Sequence, residues 1–273
     1  MASLILDKNA VQGARADTLV EASREHQLLL PAVFFYEVAT QEKPTPRWRS
    51  FYEKLRETKP EACCSPEAMI REELACGLPV EDVIDHKVTE KLHAALRRGV
   101  DTWPEPWTVI SPEDYRTDVD KSVSYMRNKV RDVWARSTAR QAACEYGALL
   151  RSSSSKAEAI GKIKDATRSI AEHEWEAAGY AKGLATERSV AFMGVWVRNC
   201  QCFVLAADSG QAHCGAKDST LFNLCLDRHY VLHLVGAQGI VSADPDVVDL
   251  ATAFFPSALV FSSVAEVVKQ RGA

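Results

Sequence analysis

No stretch of this chain reaches the roughly 18–20 consecutive apolar residues that a membrane-spanning helix needs. Ser189 to Val197 is apolar but stops at Arg198. There is no basic run ahead of an apolar segment at the N-terminus, where Asp7 interrupts Leu4-Ile5-Leu6 almost at once, so a secretory signal is not expected. Nor is there a C-x-x-C pair among the eight cysteines. Cys200-Gln201-Cys202 and Cys63-Cys64 lack zinc-site spacing, and reduced thiols in a cytoplasm fit best. Gly13, Gly161 and Gly236 form no phosphate-cradling loop. A strong basic excess is also missing. The formal charge is −4 and the pI about 6.0, so any nucleic-acid contact has to come from a local patch. What remains is a chain of 273 residues, 47% hydrophobic and 26% charged, the balance of a soluble globular protein with one large domain or two small ones.

The two ends read differently from the middle. Leu4-Ile5-Leu6 suits a buried strand, and Asn9 is a candidate helix cap just after it. The spacing predicts a helix over Ala14–His26 with Leu19 and Ala22 inward, then a strand at Leu28–Leu30. Pro31 suits the first turn of a helix carrying Val33, Phe34, Glu37 and Val38. Near the other end, Asp218 opens a helix running to about Val235, and Gly239–Ser242 reads as a strand closing at Asp244. Pro245 then starts another helix, Ala258–Phe261 is a last strand, and Ser262 or Ser263 caps a final helix. Strand and helix in alternation predict an α/β fold with a parallel sheet. The middle lacks strand alternation, with helices expected over Phe51–Thr58, Glu67–Ala75, Val80–Arg98, Asp114–Leu150 and Lys156–Ala181. The expected organisation is a discontinuous core from 1–43 and 205–273, with a helical 44–204 that supplies some core helices and otherwise forms an insertion.

Charge is divided in the same way. Residues 1–43 hold four basic and six acidic side chains, and residues 201–273 hold four and seven. The middle contains a basic stretch, with Arg127, Lys129, Arg131, Arg136 and Arg140 beside Tyr125 and Trp134. Lys and Arg there could contact phosphates while the rings stack on bases, although a solvated helix face explains the same residues.

Carboxylates at element ends carry the main chemical signal. Asp7 and Asp244 each come directly after a strand, where open parallel sheets collect their ligands. Glu37 stands in an otherwise apolar helix turn and is costly to bury unless paired or metal-bound. Asp218 begins a helix. Such carboxylates repel unless a cation joins them, and hard oxygen donors select Mg²⁺ or Mn²⁺. Each Asp taken alone is equally readable as a turn or helix cap. His229 and His233 share a helix face, but the span between them has no Glu in the metalloprotease arrangement, which favours plain core or surface histidines.

In their order along the chain, these residues resemble the PIN-domain family of metal-dependent nucleases. The resemblance rests on Leu4-Ile5-Leu6-Asp7-Lys8-Asn9, on Leu30-Pro31-Ala32-Val33-Phe34-Phe35-Tyr36-Glu37-Val38-Ala39, on Asp218-Ser219-Thr220-Leu221-Phe222, and on Ile240-Val241-Ser242-Ala243-Asp244. It implies a PIN-like three-layer core with a large all-helical insertion. It further implies Asp7, Glu37, Asp218 and Asp244 as metal-binding and catalytic residues, Asp246 as an auxiliary ligand, and Ser242 as the small polar residue before the last acid. The implied activity is that of a Mg²⁺- or Mn²⁺-dependent endoribonuclease acting on RNA, with a toxin role and an inhibitor protein as partner suggested only by the family. A non-catalytic PIN-like module that docks RNA or protein is the alternative. The haloacid dehalogenase-like phosphohydrolases also place an Asp after the first strand, but their second Asp two residues later is Asn9 here.

Overall fold

A computed structural model of the chain describes residues 1–40, 44–98, 115–117, 119–121, 123–124, 141, 145, 147–149, 151–162, 164–194 and 218–270. The chain divides into two compact units. One comprises Met1–Arg71, Val80–Tyr115 and His229–Ala273, the other Glu72–Pro79 and Arg116–Arg228.

The first unit is built on a sheet of five parallel strands. These are β1 (Ala2–Leu6), β2 (His26–Leu30), β3 (Glu61–Ala62), β4 (Gly239–Val241) and β5 (Leu259–Phe261), in the order β3-β2-β1-β4-β5. Leu4, Ile5 and Leu6 are fully buried, as a central parallel strand covered on both faces requires. The registers Leu4↔Leu28 and Ile5↔Leu29 on one side and Leu4↔Gly239, Ile5↔Ile240 and Leu6↔Val241 on the other set β1 between β2 and β4. The chain builds outward from β1 through β2 to β3, then resumes on the other side of β1 with β4 and β5. The strand order therefore reverses between β1 and β4, which makes the carboxyl ends of those two strands the place where an open α/β sheet opens a crevice.

Short helices come after the strands. Helix α1 (Lys8–Gly13) is capped by Asp7, whose side chain accepts the Asn9 N–H, so the cap is Asp7 and not the expected Asn9. Helix α2 (Ala16–Ser23) buries Leu19 and Ala22 and ends earlier than predicted, because β2 already begins at His26. Helix α3 (Ala32–Ala39) starts after Pro31 and buries Val33, Phe34, Phe35, Tyr36 and Val38. Glu37, within the same run, keeps some exposure.

The middle region contributes to this unit too. After α4 (Pro44–Leu55) the chain forms the edge strand β3, too short to show any alternation in sequence. Helix α5 covers Pro66–Cys76. The spacing predicts a helix from Val80, but α6 (His86–Arg98) begins six residues later. The preceding residues are drawn to the sheet edge instead: Cys64 N–H bonds the Val83 carbonyl at 2.8 Å, Asp85 N–H bonds the Ala62 carbonyl at 2.8 Å, and Cys63 bridges Ile84. Asp85 then caps α6 by accepting the Val88 N–H.

The second unit includes α7 (Lys156–Lys162) and α8 (Lys164–Ala177). A fully buried ion pair joins Arg188 to Glu73, and the second Glu73 oxygen accepts the Thr186 hydroxyl at 2.5 Å. Removing either partner would leave a buried charge unmatched. Helix α9 (Asp218–Val231) begins in this unit, and its last turn, from His229, belongs to the first. The turn continues as a 3₁₀ segment, Leu232–Val235, into β4. Helix α10 (Pro245–Phe254) links β4 to β5, and α11 (Val264–Lys269), capped by Ser263, packs on α2. Among the described residues no helix is long and apolar enough to cross a membrane.

Candidate functional site

Three chain segments meet where the strand order reverses. The Asp7 N–H bonds the Val241 carbonyl at 3.1 Å, so the last residues of β1 and β4 leave the sheet side by side. Ser242 is fully buried at this point. Its hydroxyl donates to Asp7 Oδ2 at 2.7 Å, and its oxygen accepts the Asp244 N–H at 3.1 Å. Asp7 Oδ1 accepts the Asn9 N–H at 3.1 Å, and Asp244 Oδ1 accepts the Asp246 N–H at 2.8 Å. Asp7 and Asp244 are therefore both helix caps. Capping does not use up a carboxylate, because each oxygen carries a second lone pair.

Glu37 reaches this region from α3. Its Oε2 accepts the Tyr230 hydroxyl at 2.5 Å, and its Oε1 lies 3.4 Å from Lys8 Nζ. The Lys8 backbone N–H in turn donates to the Tyr230 hydroxyl at 3.3 Å, closing a ring of contacts between α1, α3 and the end of α9. The neighbours of Glu37 and Tyr230 stiffen the arrangement. Tyr36 stacks on Tyr115 at 4.8 Å between ring centroids, and the Tyr115 hydroxyl bonds His229 Nδ1 at 2.5 Å.

Electrostatics single out Asp7. Burial raises its carboxyl from the ordinary 3.8 to about 6, and the negative charges of Glu37 and Asp244 push in the same direction; the bonds from Ser242 and Asn9 oppose them. Burial is the larger cause, and the repulsion between carboxylates adds to it. Burial, then the Glu37 and Asp7 charges and its own bond to Glu37, keeps the Tyr230 hydroxyl protonated well above the ordinary tyrosine range. Tyr230 is thus a permanent hydrogen-bond donor to Glu37.

Asp7, Glu37 and Asp244 accordingly fall within one electrostatic neighbourhood. Asp218 opens α9, in the second unit, and its side chain lies outside the described residues. Asp246 stands in the first turn of α10, with partial exposure. Arg127, Lys129, Arg131, Arg136 and Arg140, with Tyr125 and Trp134, lie outside the described residues. Among the described residues no three His, Cys, Asp or Glu side chains are grouped closely enough to hold a metal ion. The donor chemistry nonetheless suits a hard divalent cation: the three carboxylates offer only oxygens, with the Lys8 ammonium beside Glu37.

Lys8 and Tyr230 escaped the sequence reading. A cation directly after a strand-end acid was a visible signal for Lys8. Tyr230 had none, since its contact with Glu37 spans 193 residues. His229 and His233 are core residues, as their sequence context suggested. His233 is fully buried, with its ring nitrogens 2.8 Å from the His229 carbonyl and 2.9 Å from the Cys64 carbonyl. Such bonds explain both histidines without a metal. No protein-family model matches this chain, and no curated protein or solved structure matches it either.

Proposed function

We propose that this protein is a divalent-cation-dependent nuclease that hydrolyses phosphodiester bonds, with RNA as its substrate. The observation carrying this reading is the buried Asp7 at the β1–β4 reversal, its carboxyl raised to about 6 beside Glu37 and Asp244. Asp7, Glu37 and Asp244 are the residues that would hold Mg²⁺ or Mn²⁺, with Asp246 as an auxiliary ligand. When bound, such an ion activates water and neutralises charge on a phosphodiester.

The chain's own residues do the positioning. Ser242 ties Asp7 to the end of β4, and Tyr230 holds Glu37 Oε2 in one orientation. The acids repel a polyanion until their charge is matched, so the basic stretch Arg127–Arg140 supplies the phosphate contacts in this reading. The haloacid dehalogenase-like reading has less support, because Asn9 gives Asp7 a backbone N–H where that chemistry calls for a second acid.

The test is cleavage of a mixed-sequence RNA with Mn²⁺. Cleavage should stop with a chelator and fall by about a hundredfold or more in Asp7→Asn, Glu37→Gln and Asp244→Asn. Cleavage that survives chelation and all three substitutions, or a folded wild type that binds RNA without cutting it in Mn²⁺, overturns the enzyme reading; the second result would favour the non-catalytic RNA-docking module.

A further inference from the structure

The ion pair between Lys8 and Glu37 is partly open to solvent. Lys8 Nζ lies 3.4 Å from Glu37 Oε1, and both side chains keep about one-fifth of their exposure, at 18% and 20%. The two ends of the pair are anchored differently. Glu37 Oε2 is committed to the Tyr230 hydroxyl. The Lys8 main chain is committed as well, by its N–H bond to the same hydroxyl and by its place as the first residue of α1, directly after Asp7. The contact free to change is therefore the one between the Lys8 ammonium and Glu37 Oε1. A lysine ammonium is a point charge on a flexible four-carbon stem, and it can leave one oxygen for another without moving the backbone.

We propose that Lys8 is the exchangeable counter-cation of this site. It neutralises Glu37 when no metal is bound, gives up Oε1 to an incoming divalent ion, and then contacts a substrate phosphate from the partly exposed side of the pair. This rests on the metal-dependent reading above. An ammonium and a divalent cation cannot share one carboxylate oxygen without strong mutual repulsion, so one displaces the other. A phosphodiester brought to the same crevice offers the released ammonium a new anion, and lysine binds phosphate as a point charge. Lys8 thus sets two quantities in opposite directions: it weakens metal binding and strengthens substrate binding.

The test measures Mn²⁺ affinity by titration calorimetry in wild type, Lys8→Met and Lys8→Arg, with RNA cleavage at saturating Mn²⁺ as a second readout. Lys8→Met should bind Mn²⁺ roughly five- to tenfold more tightly, the range expected for losing a competing, partly buried charge. Its KM for RNA should rise several-fold. Lys8→Arg keeps the charge and should restore both values towards wild type. Should Lys8→Met fail to fold, Lys8→Gln reads the same two quantities. If wild type binds Mn²⁺ and the neutral variants bind it equally or less tightly, Lys8 is only a structural partner of Glu37 and the inference is overturned. If none of the proteins binds Mn²⁺, the metal-dependent reading falls, and the inference falls with it.

Discussion

Asp7→Asn separates a site residue from a simple helix cap, because the two roles predict opposite effects at neutral pH. Asp7 is 3% exposed, and its carboxyl titrates at about 6 where an unfolded chain's titrates at 3.8. Between those values the folded state holds the proton more firmly than the unfolded state does. Stability contributed by this group therefore falls as pH rises across the window; the loss is absent below 3.8 and complete above about 6. A difference of about two units corresponds to roughly 3 kcal/mol at pH 7. Asparagine removes the charge and keeps the shape, but it turns its amide towards one of the donors now met by Asp7, which costs about 1 kcal/mol. The net gain is about 2 kcal/mol, or ~4–8 °C in Tm. The assay is thermal or urea unfolding of both proteins in chelator-treated buffer at pH 4, 5, 6 and 7. The advantage of Asp7→Asn should be near zero or slightly negative at pH 4 and grow through pH 6. Adding Mn²⁺ should reverse the order, because ligand binding stabilises only the protein that keeps its ligand. If Asp7→Asn is less stable than wild type at pH 7, or differs from it by the same amount at every pH, burial and carboxylate repulsion are not what governs Asp7, and its part is that of a cap alone.

Three further outcomes are expected. Ser242→Ala removes the hydrogen bond that lowers the Asp7 carboxyl, so the acid limb of the cleavage rate against pH should move upward by about one unit; an unchanged profile would disconnect Ser242 from Asp7. Gly239→Ala would put a Cβ 2.6 Å from the Leu259 carbonyl oxygen and 2.9 Å from Leu4 Cδ2, wedging β4 against both neighbours, and should cost about 2–3 kcal/mol in urea unfolding. Arg127→Ala with Arg131→Ala should weaken RNA binding and flatten its salt dependence by up to about two units of slope while changing the maximal rate little; unchanged affinity and slope would place the substrate path elsewhere.

Much of the α/β unit was legible in sequence because the signals were local. Leu4–Leu6 and Leu28–Leu30 are continuous apolar runs, which buried parallel strands require. Pro245 and Ser263 sit where helix starts need a fixed φ or a side-chain acceptor. Asp7 and Asp244 stood out as acids at strand ends, and Glu37 stood out as a charge in an apolar turn. Other elements depended on distant partners. Strand β3 is only two residues long, and residues 80–85 gave up helix for pairing at the sheet edge because Val83 and Asp85 found backbone partners there.

The site divides in the same way. Sequence alone determined which residues carry charge and where strands end, since composition and short-range sterics decide those. Only the tertiary structure decided that Ser242 bonds Asp7 across 235 residues, or that Tyr230 and Lys8 divide the two oxygens of Glu37 between them. Parallel pairing leaves no mark in either strand that names its neighbour. The order β3-β2-β1-β4-β5 is set by how the crossovers bury the apolar faces together, and the environment that raises Asp7 exists only once β1 and β4 lie side by side.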